Sequence, residues 1–540
     1  MFNLSNISEA LQPMTIGAHS LPPGRTNITG ISTDTRTIKR GELYIALLGE
    51  RFDGHTFLRE AFQAGAVAAV VTDEWFRGNS QTKHPVIIVR NTIDALGNIA
   101  LSWRRRFSIP VVCVAGSNGK TSTKEMIALV LAKKFNVHKT AENLNNKIGV
   151  SKAILGLEKK HTAAVLELGT NRSGEIAWLC HVAEPTHGVI TNIGKDHIQY
   201  LRSMEGVAGE NGDLFASLGA HDGFAFVNGD DRLVQYQAMY RGAIKHWVYS
   251  FTTRTADVKG KYLGLTSDGY AKFSFSRRSA GMEVVTLGAI GEHLATNALA
   301  ASSVGLHFGI KGSLIKEALE SYRADDTHEY GRLFLENVAL EGQRGRVVQV
   351  LNDTYNANPE SMFAALEAVL SIKPRSRHVA VLGDMLELGD ISKAEHEKVG
   401  LWLLDSDIDE VCLVGDEMFQ AYEAIKSNRH LDVPVTISKR GKKPPPRRRM
   451  KLADVATSYF TSSELPQLYD MLFATLRNDD IVLVKGSRGM HMEELIRMLK
   501  KNMGSKSGAH APIKPKAAPA PKAKASAKAS AKPSATKSKR

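Results

Sequence analysis

Short apolar runs alternate with segments of helical spacing along most of the chain. The apolar runs occupy residues 43–48, 66–71, 111–114, 163–168, 188–190, 347–351, 378–382, 410–414 and 480–484. The segments at 57–64, 121–135, 362–372 and 396–404 carry the helical spacing. Runs of this length predict buried strands, and apolar residues three and four positions apart predict amphipathic helices. The alternation therefore predicts an α/β fold.

The chain has 540 residues, which is too long for a single hydrophobic core. We predict three domains: an amino-terminal α/β module over 1–108, a central doubly wound parallel sheet over 109–333, and a Rossmann-like α/β domain over 334–502. The third domain contains a basic insertion at 439–451, and a Lys/Ala/Pro-rich tail occupies 503–540. Because the third domain has no Gly-x-Gly-x-x-Gly pattern, it is not predicted to bind a dinucleotide.

The strongest chemical signal lies where the strand at 111–114 gives way to a helix. Residues 111–122 read Val-Val-Cys-Val-Ala-Gly-Ser-Asn-Gly-Lys-Thr-Ser. Loop amides and the positive end of a helix bind phosphate, and Lys120 adds a full charge there. The Thr121 hydroxyl is suited to a Mg²⁺ ion that bridges two phosphates. The predicted phosphate-binding loop consists of Gly116, Ser117, Asn118, Gly119, Lys120, Thr121 and Ser122.

This loop alone leaves two other interpretations open. Val114 stands where the longer Walker pattern has its first glycine. A plain strand-to-helix turn or a generic P-loop ATPase would carry similar residues. Other segments must decide between these possibilities.

Polar residues follow three predicted elements of the central domain. Asn145 and Asn146 lie in a loop that enters a helix, Glu167 ends an apolar strand, and His197 follows another strand. Ligands of a doubly wound sheet collect at the carboxyl ends of its strands, so Thr121, Glu167 and His197 are predicted to converge. A buried glutamate needs a cation, which is either Mg²⁺ or a structural lysine or arginine. The asparagines are equally typical of turns, and a lone histidine is often an ordinary surface or core residue.

A second polar segment lies near the amino terminus. Residues 32–36 read Ser-Thr-Asp-Thr-Arg and include Thr33, Asp34 and Arg36. These donors and acceptors suit a sugar nucleotide, and they also suit a plain polar turn. The residue types leave both interpretations open.

Several motifs, taken in order, resemble the Mur ligase family of peptidoglycan synthesis. They are Gly-Ser-Asn-Gly-Lys-Thr at 116–121, Asn-x-Asn-Asn-x-Ile-Gly at 143–149, Glu-Leu-Gly-Thr-Asn-x-x-Gly-Glu-Ile at 167–176 and Thr-Asn-Ile-Gly-x-x-His at 191–197. Residues 32–36 and Phe-Asp-Gly-His at 52–55 resemble the uridine-nucleotide module of the family. Asp-Thr-Tyr-Asn-Ala-Asn-Pro-Glu-Ser-Met at 353–362 resembles the members that attach D-alanyl-D-alanine to UDP-N-acetylmuramoyl-tripeptide. Residues 383–389 with His396, and 484–490 with Glu493, extend the resemblance to about residue 500.

The resemblance implies an ATP-dependent amide ligase that works through an acyl phosphate. Lys120, Glu167 and His197 would be catalytic, and Thr121, Glu167 and His197 would coordinate Mg²⁺. ATP would contact the phosphate-binding loop together with Asn297 at the adenine, Arg332 at the phosphates and Asp353 near the ribose. The residues implied to bind substrate are Thr33, Asp34, Arg36, Asn145, Asn146, Tyr355, Asn356 and Asn358. Another amide ligase of the superfamily, such as the third-residue ligase or a folylpolyglutamate synthase, is the alternative.

One position departs from the family pattern. Many relatives carry a carbamylated lysine about fourteen residues after the histidine, where this chain has Asn211. Asparagine cannot be carbamylated. Either its amide oxygen substitutes for the carbamate, or the neighbouring Glu210 or Asp213 supplies the charge, or a second metal ion is bound more weakly. We therefore expect activity that does not respond to bicarbonate.

The net charge of +14 is concentrated in two segments of the chain. Residues 503–540 and 439–451 hold 18 Lys and Arg and no acid, so subtracting them from +14 leaves −4 on the remainder. Both basic segments are predicted to be disordered, because they hold too few apolar residues to offset the entropy lost on ordering. They are either functionless or weakly attracted to nucleic acid, ribosomes or anionic membrane surfaces. A nucleic-acid-binding ATPase is thus a further alternative, although no aromatic residues in these segments indicate base recognition.

Two further features bear on the location of the protein. No apolar run is long enough to span a bilayer, and residues 1–11 lack the features of an export signal. Cys113, Cys180 and Cys412 have no disulfide or metal spacing and are predicted to be buried thiols. We expect a cytoplasmic monomer.

Overall fold

The computed structural model describes residues 2–49, 52–141, 144–241, 244–277, 281–323, 331–340, 346–373, 376–428 and 456–500. All of them belong to one unit, Met1–Asn502. The basic insertion at 439–451, the tail at 503–540 and Asn143 of the asparagine-rich loop lie outside the described residues.

The strands of the amino-terminal part are β1 (Phe2–Asn3), β2 (Thr15–His19), β3 (Asn27–Ile28), β4 (Ile31–Ser32), β5 (Leu43–Ile45), β6 (Leu48–Gly49), β7 (Phe52–Asp53), β8 (Ala68–Thr72) and β9 (Val86–Val89). Five of them form a sheet with strand order β2-β9-β8-β5-β4. Neighbouring strands of this sheet are parallel except for β2, which is antiparallel to β9. The helices of this part are α1 (Leu4–Leu11), α2 (Leu58–Gln63), α3 (Asp73–Gly78) and α4 (Thr92–Arg104). A 3₁₀ turn, Gly54–Phe57, precedes α2.

The central part contains a nine-stranded sheet with strand order β11-β12-β10-β13-β14-β15-β16-β17-β18. Its strands are β10 (Val111–Ala115), β11 (Val137–Lys139), β12 (Ala163–Glu167), β13 (His187–Ile190), β14 (Phe224–Asn228), β15 (Lys245–Ser250), β16 (Val258–Leu265), β17 (Tyr270–Arg277) and β18 (Glu283–Ile290). Its helices are α5 (Lys120–Leu131), α6 (Lys147–Leu155), α7 (Glu175–Ala183), α8 (Ile198–Leu201), α9 (Met204–Ala220), α10 (Arg232–Tyr240), α11 (His293–His307) and α12 (Gly312–Glu320).

The central sheet is parallel, as predicted, except at one edge. The seven strands from β11 to β16 are parallel, whereas β17 runs antiparallel to β16 and β18 antiparallel to β17. The connections from Leu265 to Tyr270 and from Arg277 to Glu283 are too short to cross the sheet. A parallel connection needs a dozen or more residues, so these strands return as hairpins.

Both faces of β10 and β12 are buried, which explains the uninterrupted apolar runs there. Val111 and Cys113 of β10 face one hydrophobic core, and Val112 and Val114 face the other. Val114 pairs with Glu167 of β12, and Ala115 pairs with Ile190 of β13. The carboxyl ends of these three strands therefore lie side by side.

The carboxyl-terminal part contains a six-stranded sheet with strand order β19-β20-β24-β21-β22-β23. Only β19, at the edge, is antiparallel to its neighbour. Its strands are β19 (Phe334–Ala339), β20 (Val347–Asp353), β21 (His378–Gly383), β22 (Glu410–Val414), β23 (Ala456–Phe460) and β24 (Ile481–Lys485). Its helices are α13 (Pro359–Ser371), α14 (Ser392–Leu404), α15 (Met418–Asn428), α16 (Leu465–Thr475) and α17 (Glu493–Lys500), with 3₁₀ turns at Gly389–Ile391, Ser462–Glu464 and Arg488–Met490. The predicted α/β class is confirmed.

Two smaller predictions are also tested. Cys113, Cys180 and Cys412 are buried free thiols, as expected. Within the described ranges, no helix combines the length and apolar character needed to cross a bilayer.

Candidate active site

A cavity of about 780 Å³ is lined by residues of the central and carboxyl-terminal sheets. The central sheet contributes the loop after β10 and the segments that follow β12 and β13. The carboxyl-terminal sheet contributes residues 353–361, 386–387 and 485–489. Residues far apart in the chain therefore face one space.

The predicted phosphate-binding loop opens into this cavity. Gly116 and Gly119 have φ values of +126° and +79°, which side chains rarely tolerate. The loop is held by the segment after β13, because the Ser117 amide donates to the Asn192 carbonyl at 2.9 Å and the Asn118 amide donates to Asn192 Oδ1 at 3.0 Å. Lys120 Nζ donates to the Gly116 and Ser117 carbonyls at 2.6 and 3.0 Å. The helix starts at Lys120, and the first amides of a helix lack acceptors within it, so this end can bind an anion.

Glu167 is almost fully buried, as expected for a carboxylate at the end of an apolar strand. Its Oε1 accepts hydrogen bonds from Thr121 Oγ1 at 3.1 Å and Asn145 Nδ2 at 3.0 Å. Its Oε2 is buried and accepts no hydrogen bond from the part of the chain that the structure describes. A buried carboxylate oxygen without a donor fits a bound cation. Thr121 and Glu167 are thus in contact, and their role as Mg²⁺ ligands stays a prediction.

Sequence reasoning missed Lys124, which is completely buried on α5. Its Nζ lies 3.6 Å from Glu167 Oε2, 3.1 Å from Glu125 Oε1 and 2.9 Å from the Thr140 carbonyl. Lys124 is therefore the structural lysine that was the alternative to Mg²⁺ as the partner of Glu167. Glu167 contacts both this lysine and Thr121. The signal was available, because Lys124 shares the helical spacing of the buried Ile127 and Leu131.

His197 lines the same cavity but makes its contact with the other sheet. Its backbone has a φ of +54°, and its Nδ1 lies 2.5 Å from Glu387 Oε2. Its Nε2 lies 3.4 Å from Asp196 Oδ2. The hydrogen bond with the His197 ring lowers the pKa of Glu387. Glu387 belongs to a motif that the sequence singled out without assigning it a role.

Asn297 of α11 packs against the phosphate-binding loop. A Cβ atom on Gly119 would lie 2.7 Å from both amide heteroatoms of Asn297. Asn297 and neighbouring residues of α11 line the cavity. Its predicted role at the adenine stays a prediction.

The segment after β20 carries the predicted residues of the carboxyl-terminal sheet. The Arg332 guanidinium lies 3.6 Å above the ring of Tyr355. Asp353 Oδ2 accepts a hydrogen bond at 2.6 Å from Lys485, a buried lysine that also donates to the Asn356 carbonyl at 2.8 Å. Lys485 was another residue without a predicted role, and it holds this segment in place.

Asn358 connects this segment to the phosphate-binding loop. Its Nδ2 donates to Asn118 Oδ1 at 2.9 Å, while its Oδ1 accepts from the Ser361 amide and begins α13. Asn146 has a similar capping role, because its Oδ1 accepts from the Gly149 amide at the start of α6. Both asparagines line the cavity, so a capping role and a substrate role are compatible.

The predicted residues of the amino-terminal segment do not line this cavity. Thr33, Asp34 and Arg36 follow β4 of the amino-terminal sheet. Arg36 forms an ion pair with Asp34 at 2.7 Å and lowers the pKa of Asp34 to about 2. The structure does not bring these three residues together with the phosphate-binding loop.

The position that departs from the family pattern has a supporting role. Asn211 is buried, its Oδ1 accepts from the Gly116 amide at 2.8 Å, and its Nδ2 donates to the Val207 carbonyl at 2.9 Å. Glu210 accepts from the Gly174 and Ile176 amides at 2.7 and 2.8 Å. Neither side chain is part of the cavity lining.

Comparison with known proteins agrees with the motifs. Three models of the Mur ligase family match: its catalytic domain over residues 27–104, its middle domain over 114–305 and its glutamate ligase domain over 339–488. The UDP-N-acetylmuramoyl-tripeptide–D-alanyl-D-alanine ligase of Bacillus subtilis is 33% identical over 486 residues, which cover 88% of this chain and 94% of the relative. The enzyme of the same name from Escherichia coli is 34% identical over 477 residues, again 88% and 94% of the two chains.

A solved structure shares both the fold and part of the sequence. The crystal structure of MurF from Acinetobacter baumannii has a TM-score of 0.75 and 27% identity, and the match covers 93% of this chain and 99% of that chain. The similarity extends over nearly the whole length of the relatives, and its sequence identity with two of them exceeds 30%. The chain therefore belongs to the Mur ligase family.

Proposed function

We propose that this protein is an ATP-dependent ligase that attaches D-alanyl-D-alanine to UDP-N-acetylmuramoyl-tripeptide for peptidoglycan synthesis. The observation that carries the proposal is the hydrogen bond between Asn118 of the phosphate-binding loop and Asn358, at 2.9 Å. It joins a nucleotide site to the segment at 353–362, which resembles family members with this activity. The two relatives named above carry the same activity in their names.

The chemistry starts from a carboxylate, which is a poor electrophile. The γ-phosphoryl group of ATP passes to the terminal carboxylate of the tripeptide, so the bond to ADP breaks and an acyl phosphate forms. The amine of the dipeptide then attacks the carbonyl carbon, phosphate leaves, and the nitrogen loses a proton. The contribution of the protein is positioning and charge neutralisation. Lys120 and the loop amides neutralise the phosphates.

We propose that Thr121, Glu167 and His197 hold Mg²⁺. The buried Glu167 Oε2 without a hydrogen-bond donor supports this assignment. When bound, the ion would offset the negative charge that builds up on the transferred phosphoryl group. Glu167 and His197 both line the cavity, although no group of three or more His, Cys, Asp and Glu side chains suited to a metal ion occurs within the described ranges.

The remaining residues are proposed to bind the substrates. Thr33, Asp34 and Arg36 would contact the uridine nucleotide, while Asn145 and Asn146 would lie beside the peptide. Asn297, Arg332 and Asp353 would contact ATP. The residues of the segment after β20 proposed to bind substrate are Tyr355, Asn356 and Asn358. A higher KM for the UDP substrate in Arg36→Ala, with an unchanged KM for ATP, would support the first assignment.

One assay tests the proposed function. Purified protein is supplied with ATP, Mg²⁺, UDP-N-acetylmuramoyl-tripeptide and D-alanyl-D-alanine, and each component is omitted in turn. We expect phosphate release and a product longer by one dipeptide only in the complete mixture. Release that depends on DNA or RNA, or ligation of single amino acids instead of the dipeptide, would contradict the proposal. Lysine-ended and diaminopimelate-ended tripeptides compared in this assay would identify the third residue.

We also propose a cytoplasmic monomer with three domains that meet near residues 108 and 333. Light scattering would test the monomer, and limited proteolysis would test the boundaries. The basic tail at 503–540 is proposed to make only weak, salt-sensitive contacts with anionic surfaces. Co-sedimentation with anionic vesicles that persists in high salt, or that is unchanged after truncation at residue 502, would contradict this role.

A further inference from the structure

Two loops from different sheets meet beside the cavity. Residues 195–199 follow β13 of the central sheet, and residues 384–389 follow β21 of the carboxyl-terminal sheet. His197 and Glu387 face each other across this junction, with φ values of +54° and +63°. Non-glycine residues rarely occupy this left-handed region, and such conformations concentrate at functional sites.

The contact between the loops involves side chains and backbone. His197 Nδ1 lies 2.5 Å from Glu387 Oε2, and the Gln199 amide donates to the Glu387 carbonyl at 3.1 Å. The backbone contact places Glu387 in register with the loop of His197. The carboxylate then accepts a hydrogen bond from Nδ1–H of the imidazole.

This hydrogen bond determines what the other ring nitrogen can do. In the neutral imidazole with its proton on Nδ1, Nε2 presents a lone pair, and Nε2 lies 3.4 Å from Asp196 Oδ2. A lone pair facing a carboxylate is an arrangement that a cation stabilises. Metal-binding histidines commonly donate their second nitrogen to a carboxylate, which sets the tautomer and the ring orientation. His197 and Asp196 both line the cavity that contains Glu167.

Other contacts join the same two sheets without touching His197. Lys195 Nζ lies 2.9 Å from Glu395 Oε1, and the Lys195 amide donates to Glu360 Oε2 at 3.1 Å. These contacts hold the sheets together. Among the contacts recorded for the described residues, the one that reaches the His197 ring from the carboxyl-terminal sheet comes from Glu387.

We propose that Glu387 is a positioning residue that orients His197 toward a divalent cation. The carboxyl-terminal sheet thereby completes a cation site of the central sheet only when the two are packed together. This inference rests on the proposed function, because it assigns His197 to the metal of that reaction. Tight cation binding then depends on the contact between Glu387 and His197.

The test uses the full-length protein with Mn²⁺ and the non-hydrolysable analogue β,γ-methylene-ATP. Electron spin-echo envelope modulation detects ¹⁴N coupling from an imidazole bound to Mn²⁺, and titration followed by electron paramagnetic resonance gives the Mn²⁺ Kd. His197→Ala identifies the source of the ¹⁴N signal. Glu387→Ala removes the acceptor, and Glu387→Gln keeps an acceptor but removes the charge. Glu395→Gln is the matched control, because it weakens the ion pair of Glu395 with Lys195, which also joins the two sheets, and Glu395 does not contact the His197 ring.

We expect a ¹⁴N signal in the unmodified protein that disappears in His197→Ala and falls strongly in Glu387→Ala. The Mn²⁺ Kd should rise about 10- to 100-fold in Glu387→Ala. The Mn²⁺ Kd and the ¹⁴N signal of Glu387→Gln should lie between those of the unmodified protein and those of Glu387→Ala. Both quantities should be unchanged in Glu395→Gln. Circular dichroism confirms folding, and Glu387→Gln serves if Glu387→Ala does not fold.

Three results would overturn the proposal: no ¹⁴N signal in the unmodified protein, an unchanged Kd and signal in Glu387→Ala, or an equal loss in Glu395→Gln. Product formation by the unmodified protein is measured in parallel with both substrates. If the product forms while Glu387→Ala binds Mn²⁺ normally, the inference fails and the proposed function stands. If no product forms, the proposed function fails by a separate readout.

Discussion

At the residue scale, the site depends on polar side chains that are buried without full pairing. Glu167 receives two donors on Oε1, whereas Oε2 has Lys124 Nζ at 3.6 Å and accepts no hydrogen bond from the described residues. A buried acceptor that lacks a hydrogen bond is costly in a folded protein, even with an ammonium group nearby. It persists here where a bound cation would satisfy it.

Replacing Lys120 with alanine should nearly abolish turnover without unfolding the protein. Loss of one electrostatic contact to a transferred group costs a factor of roughly 10² to 10³ in rate. The measurement is kcat for ligation, together with thermal unfolding. Lys133→Ala is the control, because Lys133 pairs with Glu317 at the surface. An unmodified rate in Lys120→Ala would contradict the assignment of the phosphate-binding loop.

Activity should be independent of carbon dioxide. Asn211 cannot be carbamylated, and both its polar atoms are already bonded, to the Gly116 amide and the Val207 carbonyl. The initial rate is measured in carbon-dioxide-depleted buffer with and without bicarbonate. Rescue by bicarbonate would show that a carbamate forms on another residue.

At the element scale, the phosphate-binding loop requires glycine where the backbone leaves the strand. A Cβ atom on Gly116 would collide with the Thr191 side chain, and the φ of +126° disfavours any side chain. The loop also receives support from Asn192 and Asn211. Its shape is therefore set by the neighbouring strand and helix as well as by its own residues.

Gly116→Ala should weaken nucleotide binding, whereas the same substitution at Gly78 should not. The strained backbone and the collision would displace the loop amides, so the Kd for ADP should rise at least about tenfold, equivalent to about 1.4 kcal/mol. Isothermal titration calorimetry measures the change. Gly78→Ala is the control, because nothing lies within 4 Å of a Cβ there. Normal ADP affinity in Gly116→Ala would contradict the assigned binding mode.

A histidine pair at the start of β13 and the end of α11 should make stability pH-dependent. His187 Nε2 lies 3.2 Å from His307 Nε2, and burial together with His307 lowers the pKa of His187 to about 4. Because this pKa is below that of an unfolded histidine, about 6.5, the unfolded chain binds more protons between these values. The contribution of His187 to the free energy of unfolding is therefore fully present above about pH 6.5 and falls as the pH drops toward 4.

His187→Phe should remove this component, because its neighbours Phe224, Phe226 and Phe308 suit an aromatic ring. The difference in unfolding free energy between variant and unmodified protein, followed by denaturant titration from pH 4 to 7.5, isolates this effect from other titrating groups. We expect the variant to gain relative stability as the pH falls. A pH-independent difference would contradict the lowered pKa.

At the scale of the whole molecule, the active site is divided between two sheets. Asn118 bonds to Asn358, and Lys195 pairs with Glu395, each at 2.9 Å across the junction. Polar contacts of this kind can break and form again as ligands enter and leave. The reaction needs both an open state for access and a closed state that excludes water.

Ligands should therefore make the protein more compact in solution. Small-angle scattering with β,γ-methylene-ATP and the UDP substrate should give a smaller radius of gyration than scattering without ligands. Lys195→Met should expand the ligand-free protein, because it removes the ion pair with Glu395. Identical profiles in all samples would indicate a preformed, closed site.

The sequence alone determined the local features of this protein. Apolar runs specified nine of the strands, spread over all three sheets, and glycine spacing before Lys120 specified the phosphate-binding loop, because such features depend on backbone conformation and near neighbours. Residue chemistry at the strand ends singled out Glu167 and His197, and the family resemblance added Asn358, but neither assigned a role to Glu387 or Lys485. The antiparallel edge of the central sheet was not predicted, because β17 and β18 mix polar with apolar residues.

Only the tertiary structure decided which of these residues meet. Glu387 and His197 are 190 positions apart, and Asn358 and Asn118 are 240 positions apart. Such pairs depend on how whole sheets pack, which no local pattern of residues encodes. The same packing left Thr33, Asp34 and Arg36 outside the cavity and turned Asn211 toward the loop backbone. Residue types thus specified what chemistry is available, and the packing of the sheets specified where it is assembled.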